Sequence, residues 1–292
     1  MGYKIFPECR SCLERLVDLA VGLATPDPVL QELAREQALA IITEDFHPEA
    51  ISAVIANRFH RAIQEITGNQ DPFLSRKQAE TAKLSALFRQ IAPSYDDDLE
   101  SLLKLAAVGN AIDFFRDEAE VLRDIQSQVA FAVHHLAQFR EMLPDPPGLI
   151  LYLADNAGEQ FFDAPLVSHL RRLGRQVLYV VKPEPIQNDL TRADVVASGL
   201  ADALEPIVDT GARTVGLVLS EAGPDFRELY AAADIIIAKG MGHFETMSRL
   251  TDPRLFFLLQ AKCGPVAQAW GAAQGSFIFG RAGEIPLDNQ SD

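Results

Sequence analysis

The feature that most restricts the fold is a series of short apolar runs in the second half of the chain. Leu149–Ala154 reads LILYLA, and three further runs, Val177–Val181, Val215–Leu219 and Ile235–Ala238, are similarly apolar. Near-continuous apolar runs of this length predict strands that are buried on both faces, as in a parallel sheet covered by helices. An amphipathic stretch over 161–173 predicts a helix behind the first of these strands.

The first half of the chain has a different pattern. From about residue 9 to residue 142, apolar side chains recur every three or four positions, which is the helical period. The predicted helices include 75–92, 98–108 and 114–142. No strand is predicted before residue 147. The segment Leu143–Gly148 contains three prolines, which cannot continue a helix, and it separates the two patterns.

Together these patterns predict an α/β fold. A helical N-terminal region packs on a Rossmann-like layered domain with a mostly parallel sheet. We predict a division into a helical domain, residues 1–146, and an α/β domain, residues 147–292.

The charge balance limits the classes of partner. The 292 residues include 26 Lys and Arg against 41 Asp and Glu, a net charge of −15. This balance disfavours a nucleic-acid surface, which needs clustered basic residues. The sequence has no apolar stretch of about 20 residues and no apolar leader, so we predict a cytoplasmic protein without a membrane partner. The oligomeric state is not indicated.

Polar residues follow three of the predicted strands. Asp155, Asn156 and Glu159 come after the first strand, Asn188 and Asp189 after the second, and Lys239–Thr246 after the strand over 235–238. In an open parallel sheet, ligands bind beyond the carboxyl ends of the strands. These residues therefore predict one binding site at that edge.

The residue types favour a divalent cation and a phosphate. Asp155, Asn156 and Asp189 offer oxygen atoms, which Mg²⁺ and Mn²⁺ prefer over the nitrogen and sulfur ligands of zinc. Lys239 and the glycine turn after it suit an anion. The residues also allow a structural interpretation, in which the Asp and Asn residues cap helices and Lys239 is a solvated surface residue.

Taken together, these motifs resemble the damage-control phosphatases, a metal-dependent family long catalogued as a domain of unknown function. The residues that carry the resemblance are, in chain order, Cys9-x-x-Cys12, Asn57–Phe59, Thr67–Phe73, Gly109–Asp113, Asp155–Glu159 with Phe162-Asp163, Pro185–Asp189 and Lys239–Thr246. The Cys-x-x-Cys pair resembles the mark of the prokaryotic-type branch. The chain departs from the family at Met241 and His243, where Gln-Gly-Asn is usual around Gly242, and near Thr81, where an Asn is expected.

The resemblance implies a phosphatase that hydrolyses small phosphorylated, including damaged, metabolites with Mg²⁺ or Mn²⁺, or with Co²⁺ or Ni²⁺. It implies that Asp155, Asn156 and Asp189 bind the metal, and that Asp155, Asp189 and Lys239 are catalytic. The implied substrate-binding residues are Asn110, Asp113, Glu159, Asn188, Gly240, Gly242, His243 and Glu245. Whether the nucleophile is water or the Asp155 carboxylate stays open.

Two other functions are compatible with the sequence. One is an S-adenosylmethionine-dependent carboxyl methyltransferase, although no glycine-rich nucleotide loop follows the first strand. The other is a protein that binds a metal or phosphometabolite without catalysis. The roles of Cys9, Cys12 and Cys263 also stay open between buried thiols, a metal cluster and a redox function.

Overall fold

The computed structural model describes residues 2–111, 129–143 and 148–286. The helices in these ranges are α1 (Pro7–Ala24), α2 (Pro28–Asp45), α3 (Ser52–Thr67), α4 (Leu74–Ile91), α5 (Leu99–Ala111), α6 (Leu136–Met142), α7 (Gln160–Arg172), α8 (Arg192–Ala197), α9 (Ala201–Leu204), α10 (Pro224–Ala232), α11 (Gly240–Met247) and α12 (Gly264–Ala269). The strands are β1 (Phe131–His134), β2 (Leu149–Leu153), β3 (Gln176–Val181), β4 (Ile207–Asp209), β5 (Ile235–Lys239), β6 (Leu255–Gln260) and β7 (Phe277–Arg281).

These strands form one sheet in the order β1-β7-β6-β5-β2-β3-β4. Neighbouring strands are parallel except for the antiparallel pair β6 and β7. The predicted α/β class and mostly parallel sheet are thereby confirmed. Strand β2 lies between β3 and β5, so the three polar strand ends noted in the sequence are adjacent.

Apolar cores cover both faces of the sheet. Ile150, Tyr152 and their neighbours pack against α5 and α7 on one face, and Leu151 and Leu153 pack toward α11 on the other. Complete burial of β5 and β6 explains their unbroken apolar sequences. Helices α1, α2 and α3 enclose a separate apolar core.

Helix α5 connects the helical region to the sheet. It packs on α7, where a Cβ at Gly109 would lie 2.9 Å from the Cβ of Phe162. This close approach carries the next residue, Asn110, into the sheet edge at the end of β2. None of the helices in the described ranges has the length and apolar character needed to cross a membrane.

The prediction of no strand before residue 147 is wrong. Residues 131–134, placed in a predicted helix, form β1 and pair in parallel with β7. Side chains along β1 alternate between exposed and half-buried, since β1 is the edge strand, so the continuous apolar run of a central strand is missing. Much of the predicted helix over 114–142 falls outside the described residues, and the domain division at 146 stays a prediction.

The prediction of a strand over Val215–Leu219 is also wrong. Gly216 has a positive φ of 67°, which ends an extended run, and side chains bind the backbone groups that a strand would pair. Asn57 Oδ1 accepts from the Val215 N–H at 2.7 Å, and Thr246 Oγ1 accepts from the Leu217 N–H at 3.0 Å. The segment is therefore a loop held between α3 and α11.

Candidate functional site

The loops that follow β2 and β3 are joined by backbone hydrogen bonds. The Leu190 N–H donates to the Asp155 carbonyl at 2.8 Å, and the Ala157 N–H donates to the Asn188 carbonyl at 2.9 Å. Between these bonds, Asn156 and Asp189 form an isolated antiparallel bridge. The structure therefore brings together the two sequence-predicted loops, which are more than thirty positions apart along the chain.

Two amide side chains connect two carboxylates at this point. Asn110 Nδ2 donates to Asp155 Oδ2 at 2.8 Å and to Glu159 Oε1 at 3.1 Å. Asn156 Nδ2 donates to the same two oxygens at 2.8 and 2.9 Å. Asn110 is itself oriented by the backbone N–H of Gln260, which donates to its Oδ1 at 3.2 Å. The predicted residues Asn110, Asp155, Asn156 and Glu159 thus form one hydrogen-bonded group, in which Asn156 is half-buried and the other three are buried.

Lys239 lies beneath this group and is fully buried. Its Nζ lies 2.6 Å from Asp163 Oδ1 and 2.8 Å from Glu159 Oε2. Asp163 also accepts from the hydroxyls of Tyr152 at 2.7 Å and Tyr179 at 2.8 Å. The amino group is therefore occupied by two carboxylates, and the predicted contact of Lys239 with phosphate stays a prediction.

A second buried lysine, Lys182, lies beside Asp189. Its Nζ is 3.5 Å from Asp189 Oδ2 and donates to the carbonyl of Gly216 at 2.5 Å. Lys182 is not among the site residues predicted from the sequence. Lys182 directly follows the apolar strand β3, and Lys239 ends the apolar strand β5. This similar position at the end of a buried strand is the sequence signal that could have identified Lys182 as a site residue.

The carboxylates at the site have strongly shifted pKa values. Burial raises the pKa of Asp155 well above its usual range, and repulsion from Glu159 and Asp189 adds to this effect. Burial also raises the pKa of Asp189 to about 6, although the charge of Lys182 opposes it. For Glu159, burial is again the largest single cause and acts to raise the pKa. The charges of Lys239 and Lys262 and the hydrogen bonds from Lys239 and Asn156 together outweigh it, so the pKa of Glu159 lies below its usual range. The site therefore favours a further positive charge near Asp155 and Asp189.

The side chains present fit a divalent cation. At this sheet edge, four buried carboxylates face two buried lysines: Asp155, Glu159, Asp163 and Asp189 against Lys182 and Lys239. A third buried lysine, Lys77, forms ion pairs with Asp71 and Asp194. Asp189 Oδ2 is buried and accepts no hydrogen bond from any residue that the structure describes. Its nearest cation, the Lys182 ammonium, lies 3.5 Å away. Burying an acceptor without a hydrogen bond is costly, and a bound cation would reduce that cost.

The amide of Asn156 completes the set of oxygen donors. Within the described ranges, no three His, Cys, Asp or Glu side chains converge as a metal-binding group. A cation would therefore depend on two carboxylates and an amide, and Mg²⁺ typically uses only one or two carboxylates from the protein. Half a turn of the Asn156 amide would exchange its nitrogen for its oxygen beside Asp155.

Comparison with known proteins identifies the family of the chain. The chain matches the model of the damage-control phosphatase ARMT1-like domain over residues 5–278. It belongs to the ARMT1-like damage-control phosphatase family. The damage-control phosphatase PH1575 of Pyrococcus horikoshii is 32% identical over 284 residues, which are 94% of this chain and 97% of that protein. A damage-control phosphatase of Archaeoglobus fulgidus is 30% identical over 285 residues, or 94% and 98% of the two chains.

The ARMT1-like family is also supported by a solved structure. The crystal structure of a DUF89 family protein, PH1575 of Pyrococcus horikoshii, superposes with a TM-score of 0.86 and 31% identity. The superposition covers 96% of this chain and 99% of that one. The prokaryotic-type branch indicated by Cys9 and Cys12 stays a prediction.

The other predicted substrate-binding residues of this family member do not share one environment in the structure. Gly242 packs against Gly216, whose backbone nitrogen would lie 3.2 Å from a Cβ at position 242. His243 is buried with its Nδ1 2.7 Å from the Lys239 carbonyl. Asn188 is half-buried, with its carbonyl in the loop pairing described above. Asp113 lies outside the described residues.

We expect Gly240→Ala to lower any phosphatase activity of this ARMT1-like protein by about 100-fold. Gly240 has a φ of 79°, and a Cβ there would overlap the carboxylate of Asp155, so the substitution displaces a proposed metal ligand. The matched control is Gly275→Ala, since Gly275 has a φ of 89° and no heavy atom of the described residues lies within 4 Å of its Cβ position. Steady-state kinetics on both variants test this, and equal losses would contradict it.

Glu245, another predicted substrate-binding residue, contacts the helical region. Its Oε2 accepts from Ser52 Oγ at 2.6 Å and from the Ala53 N–H at 3.0 Å, at the start of α3. Burial raises the pKa of Glu245 to about 7, although these two hydrogen bonds oppose the shift. The folded protein then holds this proton more tightly than the unfolded chain does. The contribution of the proton to folding stability is therefore complete below the ordinary pKa of 4.5, and it is lost as the pH rises through about 7.

We therefore expect the wild-type protein to lose more stability than Glu245→Gln between pH 5.5 and 8.5. The expected difference is about 1–2 kcal/mol, since the carboxyl is only half-buried and solvent reduces the full effect. Denaturant unfolding at both pH values measures it, with the exposed Glu228→Gln as the control. Equal changes for wild type and Glu245→Gln would show that Glu245 does not titrate in this range.

Proposed function

We propose that this chain is a metal-dependent phosphatase that hydrolyses small phosphorylated metabolites, including damaged ones. The observation that carries the proposal is the convergence of Asp155, Asn156 and Asp189 at one sheet edge, with Asp189 Oδ2 buried beside them. The printed names of two relatives, both damage-control phosphatases, support the reaction class.

Asp155, Asn156 and Asp189 would hold the metal. Their oxygen atoms favour Mg²⁺ or Mn²⁺, and Co²⁺ or Ni²⁺ are further candidates. The ion supplies positive charge to the phosphoryl oxygens, which is the main electrostatic demand of phosphoryl transfer.

The residues of the chain itself orient the reacting groups. Lys239 and Asn110 fix the carboxylate of Glu159, and its lowered pKa keeps it ionised, so Glu159 can accept a proton from an attacking water. In the alternative route, the Asp155 carboxylate would attack the phosphorus while the bond from phosphorus to the substrate oxygen breaks and the alcohol leaves. Water would then hydrolyse the aspartyl phosphate, which releases phosphate and restores the carboxylate. Both routes use the same metal ligands.

Backbone and lysine groups would hold the phosphate. Gly240 and Gly242 lie in the first turn of α11, and free N–H groups at the start of a helix attract anions. Lys262, two positions after β6, contributes positive potential, since its charge lowers the pKa values of both Asp155 and Glu159. Lys262 is not among the site residues predicted from the sequence.

A phosphatase screen on metal-stripped protein tests the proposal. Phosphate release is measured over a panel of phosphometabolites with Mg²⁺, Mn²⁺, Co²⁺ or Ni²⁺ added one at a time. We expect release from at least one compound that depends on the added ion and needs no S-adenosylmethionine. Ligand binding without release would favour a non-catalytic binding protein, and methyl transfer from S-adenosylmethionine would favour the methyltransferase; either result contradicts the proposal.

A further inference from the structure

The two buried lysines of the site have unequal partners. Lys239 is held by two carboxylates at hydrogen-bonding distance, Glu159 and Asp163. Lys182 donates to a neutral acceptor, the Gly216 carbonyl, while its carboxylate neighbour Asp189 lies 3.5 Å away. Lys182 is therefore the less fully neutralised of the two charges, and it faces the carboxylate that would bind the metal.

The Gly216 carbonyl is fixed from both sides. Asn57 on α3 and Thr246 on α11 bind the backbone N–H groups on either side of it. A Cβ at Gly216 would overlap the Gly242 carbonyl, so the segment has no room to shift toward α11. The acceptor thus keeps the Lys182 ammonium close to Asp189.

The charge of Asp155 also acts on Lys182, but the other side chain within 3.5 Å of its Nζ, His243, is neutral. His243 Nδ1 lies 2.7 Å from the Lys239 carbonyl, which only accepts, so Nδ1 carries the hydrogen. The other ring nitrogen, Nε2, lies 3.5 Å from Lys182 Nζ and presents a lone pair to it. His243 therefore adds an acceptor beside Lys182 but no counter-charge.

A divalent cation bound to Asp189 Oδ2 would lie close to this ammonium. Two like charges a few ångströms apart in a protein repel by about 4 kcal/mol per pair of unit charges. A phosphoryl group bound at the same edge would offer Lys182 an anionic oxygen in place of Asp189. This negative oxygen would attract both the Lys182 ammonium and the cation, so the repulsion between the two positive charges would be offset.

We propose that Lys182 couples the metal to the phosphate. Lys182 weakens metal binding while the phosphate site is empty and binds a phosphoryl oxygen when both ligands are present, so each ligand strengthens the binding of the other. This inference rests on the proposed function, because it requires a metal and a phosphate at the same sheet edge. By linkage the coupling is equal in both directions.

Calorimetric titration of metal-stripped protein with Mn²⁺, with and without saturating inorganic phosphate, tests the coupling. For wild type we expect phosphate to tighten Mn²⁺ binding by about tenfold. Lys182→Gln keeps a donor for the Gly216 carbonyl and removes the charge. In this variant we expect Mn²⁺ alone to bind about tenfold more tightly than to wild type, and phosphate to add less than about threefold.

Lys182→Met serves as a second neutral variant, and Lys104→Gln on α5 is the control for loss of a positive charge outside the site. The coupling role is overturned if Lys182→Gln binds Mn²⁺ no more tightly than wild type and keeps the full phosphate effect. It is also overturned, whatever the variants do, if wild type binds both ligands and phosphate leaves the Mn²⁺ affinity within twofold. A wild type that binds no Mn²⁺, or no phosphate in its presence, would instead count against the proposed function.

Discussion

Replacing Asp189 by asparagine is expected to reduce phosphatase turnover by at least about a thousandfold. The substitution keeps the size of the side chain and the backbone bridge to Asn156, and it removes one of two carboxylates proposed to bind the metal. Because Asp189 is buried and its Oδ2 faces Lys182, the substitution also removes the negative charge nearest to that ammonium, at a position that solvent does not reach. Turnover is measured at saturating Mn²⁺ or Mg²⁺ on the substrate that the screen identifies.

The control for Asp189→Asn is Asp209→Asn. Asp209 ends β4 on the same sheet, is exposed, and accepts from the Gly211 N–H in its own loop. We expect this variant to keep nearly full turnover. Thermal unfolding of both variants separates loss of function from loss of fold. If folded Asp189→Asn retains more than about a tenth of wild-type turnover, Asp189 does not have the assigned role.

The second large effect is expected on stability. Lys239→Met should lower the free energy of unfolding by about 3–5 kcal/mol, since it leaves the buried carboxylates of Glu159 and Asp163 without their cation. Methionine has a similar length, so the loss reflects charge and hydrogen bonding more than a cavity. Urea unfolding monitored by circular dichroism measures the change.

A double variant tests the cause of that loss. Adding Asp163→Asn to Lys239→Met removes one of the two unpaired charges while keeping an acceptor for Tyr152 and Tyr179. We expect the double variant to be more stable than Lys239→Met alone, because the two residues interact directly. A single-variant loss below about 1 kcal/mol, or no recovery in the double variant, would show that Lys239 is not the principal counter-charge of this group.

The sequence predicted β2, β3 and β5, and the meeting of their polar ends at one sheet edge, because both depend on local patterns. It did not predict β6, which is also central. Strands such as β2 and β5 are buried on both faces, so their apolar runs have one interpretation. The polar residues after them lie at the sheet edge because parallel strands end on the same side. That the polar residues lie at the same edge follows whatever the order of the strands in the sheet.

Other features depend on contacts between distant segments. β1 is recognised by its pairing with β7, which lies almost 150 positions later in the chain. Within β1 itself, only four residues alternate between half-buried and exposed, which is a weak strand pattern. The loop over 215–219 is apolar like a strand, but Asn57 and Thr246 bind its backbone. The burial of Lys239 against Asp163 likewise brings together residues 76 positions apart. No local pattern contains this information.

The most direct test of the account is the position of a bound metal. Crystals of metal-stripped protein soaked in Mn²⁺ are measured for anomalous scattering at the manganese edge. We predict one site with oxygen atoms of Asp155, Asn156 and Asp189 all within about 2.5 Å of the ion. A protein that releases phosphate in a Mn²⁺-dependent manner but binds its ion away from these three residues would contradict the account.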